Sequence, residues 1–104
     1  MKLYLVTEEG EPRWIAALLH EKMYGFVADT GMFHDNNALR NDYYIDREFD
    51  YEEIGTAEAR RLVAAGVGQV DEVEEAEVLA VWRADPSPIP LADVLSMAAG
   101  SRGD

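Results

Sequence analysis

The sequence predicts an α+β fold: a small antiparallel sheet of three to four strands, with two or three helices packed on one face. Three observations lead there. Through the first 28 positions, apolar residues alternate or run in short blocks separated by turn residues, which is strand patterning. Helix caps and apolar stripes at helical spacing gather in the second half. Strands grouped ahead of helices suit a meander with helices laid against it, whereas a doubly wound sheet alternates the two.

In order, Lys2 to Thr7 sets Leu3 and Leu5 against Tyr4 and Val6, a strand with both faces partly covered. Glu8-Glu9-Gly10-Glu11-Pro12 turns the chain, since Gly10 relaxes φ and Pro12 has no ladder donor. Arg13 to Leu19 reads as the second strand, with a helix over 14–23 as the competitor because Ala16, Ala17, Leu18 and Leu19 are good helix formers. His20-Glu21-Lys22 is the next turn and Met23 to Ala28 the third strand. Asp29 to Asp35 reads as a loop, and Asn36 or Asn37 caps a short helix through Ala38, Leu39 and Arg40.

From Tyr44 to Glu53, Asp46, Glu48, Asp50 and Glu52 share one parity while Ile45, Arg47, Phe49 and Tyr51 share the other. Period two predicts a fourth strand with four carboxylates on one face. Thr56 then caps a helix over 57–65, with Glu58 at its positive end and Gly66 terminating it. Acidic residues from Asp71 to Glu77 ahead of Arg83 predict a helix over 71–84, with a strand as the alternative because of Val78, Val81 and Trp82. Asp85-Pro86-Ser87-Pro88-Ile89-Pro90 is an extended linker, and Pro90 opens a helix from Leu91 to Ala99 that is expected to dock on the chain's own core, with a partner or a second copy of the chain as the alternative. The organisation is a single domain over 1–84, a linker at 85–90, and a short helix with a frayed tail over 91–104.

Composition narrows the function classes. The 104 residues carry a net charge of −12, and residues 35–77 hold thirteen carboxylates against four arginines. Such a surface repels nucleic-acid backbones and anionic lipid, so no direct nucleic-acid or membrane contact is expected, and a charged partner has to be basic. No cysteine is present, which excludes disulfides and thiolate chemistry and fits a reducing compartment. The first residues are too short for a signal h-region and no apolar run spans a bilayer, so the expected location is the cytoplasm.

No motif names a reaction, and no metal or cofactor is expected. Asp35, Asn37, Asp42, Asp46 and Asp50 are oxygen ligands, but no glycine falls among them and Tyr43-Tyr44-Ile45 interrupts them, unlike a calcium loop. His20 and His34 alone make a poor zinc set. Gly66-Val67-Gly68 follows a helix, whereas phosphate cradles precede one. The C-terminal Arg102-Gly103-Asp104 is a chance match to an adhesion tripeptide. The expectation is therefore a non-enzymatic, acidic interaction protein that binds or inhibits a basic partner, in the manner of an immunity protein, an antitoxin or a nucleic-acid mimic. Asp46, Glu48, Asp50 and Glu52 supply the field, and Tyr43, Tyr44 and Tyr51 supply aromatic anchors. One alternative is a small enzyme or ligand binder built on a loop where Asp29 or Asp35 orients His34, with Thr30 or one of the serines in the C-terminal quarter as nucleophile. Another is an accessory subunit whose acidity is incidental.

Overall fold

Both faces of one antiparallel sheet are covered, and that arrangement explains the apolar content on both parities of the early strands. A computed structural model describes residues 1–100; the tail from Ser101, with its Arg102-Gly103-Asp104 tripeptide, lies outside the described residues. The elements are β1 (Lys2–Glu8), β2 (Glu11–Leu19), β3 (Lys22–Val27), β4 (Met32–Asp35), α1 (Asn37–Asn41), a π-helical turn (Asp42–Asp46), β5 (Asp50–Ile54), α2 (Thr56–Ala64), α3 (Ala76–Arg83), β6 (Ile89–Pro90) and α4 (Leu91–Gly100). The sheet has six strands in the order β5-β1-β2-β3-β4-β6, not the three to four expected. The additional strands come from Met32–Asp35, expected as loop, and from Ile89–Pro90, expected as linker. Both are too short for alternation to register, and they exist because they pair with each other and with β3.

The meander over residues 2–27 matches its sequence pattern. Glu9 and Gly10 both take positive φ, 53° and 81°, closing β1 to β2 with a two-residue turn whose twist matches the strands. His20 and Glu21 do the same between β2 and β3, at 50° and 68°, without a glycine to relieve them. Between Val6 and Thr7 the register slips, so that Thr7 faces Pro12 and Arg13 has no opposite number. This bulge sits beside the proline that cannot donate.

Leu3, Ile15, Ala17, Phe26 and Phe33 line one face and are covered by Ala59 and Leu62 of α2 and by Val94 and Leu95 of α4. Residues of α4 thus dock on the chain's own core, as their sequence predicted. Tyr4, Val6, Ala16 and Met23 line the other face under Leu39 of α1 and Tyr43 of the π turn. Trp82 of α3 reaches the same side, its indole edge-on to Trp14 at 6.0 Å. Helices therefore occupy both faces, which corrects the expected one-sided packing.

Helix ends follow local chemistry. Asn36 caps α1, its side chain accepting from the Leu39 N–H at 3.0 Å. The cap of α2 is Gly55, with Thr56 already its first residue. At its far end Gly66 takes φ +92°, with Gly66 N–H on Val63 O and Val67 N–H on Leu62 O, a Schellman closure. The helix expected over 71–84 forms only from Ala76. Asp71 instead folds the preceding residues into turns, its carboxylate accepting from the N–H groups of Val73 and Glu74.

Gly68 marks a close approach. Its carbonyl accepts from Ala28 N–H at 3.1 Å, and a Cβ there would lie 2.7 Å from Phe26 O and 3.1 Å from Phe26 Cδ2, at φ +99°. Gly68→Ala is therefore expected to destabilise the fold by about 2 kcal/mol, measured as a lower urea midpoint with an unchanged slope.

Candidate partner surface and the His34 cluster

The acidic stretch divides at Asp50. Asp42 is buried, and its carboxylate accepts from Glu48 N–H at 2.9 Å, Phe49 N–H at 3.2 Å and Tyr51 O–H at 2.8 Å. The Arg47 N–H closes on Asp42 O at 2.7 Å, with Arg47 in the left-handed region at φ 53°. These bonds tie residues 42–49 into a π turn and a knot, taking up amides that a strand would place in a ladder. The predicted strand from Tyr44 to Glu53 is thus only Asp50–Ile54, and the four-carboxylate face is not formed: Asp46 and Glu48 lie before the strand.

Along β5, Asp50 faces Thr7, Glu52 faces Leu5 and Glu53 faces Tyr4. Asp50 and Glu52 point to the α2/α4 side and Glu53 to the other, because side chains alternate along a strand. Asp46, Glu48, Asp50, Glu52 and Glu53 are all exposed. Among the described residues, none of them makes an ion pair; the surface pairs are Glu8–Arg13, Glu58–Arg61 and Glu72–Arg83. Arg47, the one arginine within the stretch, lies over aromatic rings, 4.6 Å from the centroid of Tyr43 and 5.8 Å from that of Tyr51. Such contacts compete with exposed ion pairs, each worth up to about 1 kcal/mol.

The three tyrosines have separate roles. Tyr43 packs 5.4 Å from Tyr4 and 5.1 Å from Tyr51, with a 3.1 Å contact between the Tyr4 and Tyr43 hydroxyls. Burial, then the neighbouring Tyr43, holds the Tyr4 hydroxyl well above the usual tyrosine range. Burial and the Asp42 carboxylate do the same for Tyr51. Tyr43 and Tyr51 therefore belong to the packed cluster, and Tyr44, 49% exposed beside Ile45 at 75%, is the ring left facing outward. Arg40 lies 5.6 Å from that ring. Where β5 ends, Tyr44, Glu53, Ile54 and Leu18 line a cleft of about 670 Å³, together with Lys2 and His20.

His34 is not a loop residue. It sits on β4 opposite Gly25, only 2% exposed. Its Nδ1 is 2.9 Å from Asp85 Oδ2 and its Nε2 is 2.7 Å from Thr30 Oγ1. The orienting carboxylate is thus Asp85, 51 residues away, while Asp29 and Asp35 are exposed. No local signal in the sequence marks this pairing, because Asp85 reads as the start of a linker. If the ring is neutral with its proton on Nδ1 towards Asp85, Nε2 is left to accept the Thr30 O–H, which also reaches Val27 O at 3.2 Å; that is the order hydroxyl, imidazole, carboxylate found in nucleophilic sites. The surroundings oppose that use. The imidazole is buried, and the neighbouring groove of about 240 Å³ is lined by Ala28, Asp29, Gln69, Val70 and Glu72, with none of Thr30, His34 or Asp85 in its wall. The Trp82 indole stacks on the imidazole at 6.1 Å and 26°. The cluster joins sheet, α3 and the 85–90 segment.

Among the described residues no group of three or more metal-ligating side chains converges, and no helix is long and apolar enough to cross a membrane. No family model, curated protein or solved structure matches the chain.

Proposed function

We propose that this chain is a non-enzymatic interaction protein that binds a basic protein partner through the acidic edge around β5, with Tyr44 as its aromatic contact. One observation carries the reading: Asp46, Glu48, Asp50, Glu52 and Glu53 stand exposed within eight residues and without an ion pair among the described residues. The neighbouring strand sets Leu5, Thr7 and Tyr4 against β5, so no cross-strand lysine or arginine offsets the charge. An inhibitor or neutraliser of a basic protein suits this surface better than a nucleic-acid mimic. Only Asp50 and Glu52 keep the alternate spacing, of about 7 Å, and two positions are too few to track a phosphate backbone.

Capture experiments test the reading. Immobilised wild-type chain is expected to retain strongly basic proteins at about 0.1 M salt and release them towards 1 M, where the Debye length falls from about 10 Å to about 3 Å. The double variant Asp50→Lys/Glu52→Lys is expected to lose about tenfold or more of that retention. Equal retention by both proteins, or binding indifferent to salt, overturns the proposal.

A second reading, acyl transfer at Thr30, draws on the Thr30–His34–Asp85 geometry. The burial of His34, whose side chain is 2% exposed, weighs against a substrate reaching that imidazole.

A further inference from the structure

We infer, building on the acidic-surface reading, that the outer edge of β5 takes an extended basic segment of the partner as a seventh strand. The two edges of the sheet differ in kind. β6 is two residues long, one of them Pro90, and α4 begins directly after it; proline has no N–H to offer a further strand. β5 has five residues and no proline, and it pairs with β1 alone. Its outward N–H and C=O groups therefore have no protein partner among the described residues. Natural sheets blunt such an edge with proline, bulges, lysine or brevity. Here the only device is three carboxylates of one sign.

That device discriminates by charge. A second copy of β5 laid against the first sets carboxylate against carboxylate and is repelled. A strand with lysine or arginine at alternating positions sets cations beside Asp50 and Glu52 on one face, or beside Glu53 on the other. Main-chain hydrogen bonds then supply affinity and the carboxylates supply selection, as in other strand-addition complexes. At Ile54 the edge runs into the cleft it shares with Tyr44 and Leu18. A long cationic side chain at the end of the added strand has an apolar wall for its stem and Glu53 for its head. Lys2 and His20 line the same cleft, so the selection for positive charge comes from the strand and the cleft contributes contact.

The probe is a nine-residue peptide of alternating valine and lysine, compared with the same peptide N-methylated at alternate residues. The control keeps the charge and removes ladder donors. Amide exchange of the intact chain is followed by NMR during titration at low salt. The expected result is at least about tenfold slower exchange at alternate amides within 50–54 with the first peptide and none with the second. Glu52→Gln, a change that leaves the core untouched, is expected to weaken binding about fivefold. If the two peptides bind equally, strand addition is overturned while the acidic-surface reading stands. If neither slows exchange along β5, strand addition is likewise overturned and the carboxylates serve as edge protection; the salt-dependent capture experiment then decides the broader reading by itself.

Discussion

His34→Ala is expected to lower stability by about 3–4 kcal/mol, roughly 15–25 °C in Tm for a domain of this size. The imidazole is 2% exposed and bonded at both ring nitrogens. Its removal takes away a hydrogen bond to a charged group, worth about 1.5–3 kcal/mol, and a neutral one of about 1 kcal/mol. The indole of Trp82 also loses the ring stacked on it, leaving a cavity that the neighbouring strands fill only in part. The position is sensitive because of topology. Asp85 stands where the chain leaves α3 on one face and heads for β6 and α4 on the other, so the His34–Asp85 bond holds the crossover to the sheet. A double-mutant cycle of His34→Ala with Asp85→Ala, read by urea denaturation, is expected to show a coupling of more than about 1 kcal/mol; additivity within about 0.5 kcal/mol counts against the clasp.

Asp42→Ala is expected to cost about 3 kcal/mol and to loosen residues 42–49 selectively. The amides of Glu48 and Phe49 lose their acceptor and the Tyr51 hydroxyl keeps only its 3.4 Å approach to Leu39 O, and a buried donor left unpaired costs about 1–3 kcal/mol before water reaches it. Near-UV circular dichroism reports the outcome, because Tyr4, Tyr43 and Tyr51 pack around this knot. Tyr51→Phe removes a single donor and is the milder companion, at about 1 kcal/mol.

The same carboxylate gives an acid signature. Burial pushes the Asp42 carboxyl up, but the Tyr51 hydroxyl, the amides of Glu48 and Phe49, and Arg47 outweigh it, and the net position is below the usual aspartate value. The Ser87 amide and then His34 hold Asp85 below it as well. A depressed carboxyl adds stability that is fully present above the unfolded value of about 3.9 and lost as pH falls through the folded one. Urea midpoints are therefore expected to hold steady from neutral pH to about pH 5 and then to fall through pH 4 and below. The fall is expected to be shallower in Asp42→Asn, and an unchanged slope there contradicts the assignment.

The sequence by itself determined the α+β class, the strands β1 and β3 with their flanking turns, a cap for α1 at Asn36 or Asn37, the stop of α2 at Gly66 and the start of α4 after Pro90. Each of these depends on neighbours within a few residues: a periodicity, a cap, a turn. Period-two alternation misled between Tyr44 and Phe49, since a single buried carboxylate, Asp42, captured the amides that the pattern had assigned to a ladder. The tertiary structure alone decided β4, β6, the placing of helices on both faces and the joining of His34 to Asp85. Those features are set by groups far apart along the chain, where the free energy comes from pairing and burial that exist only after the sheet has formed, so no local pattern records them.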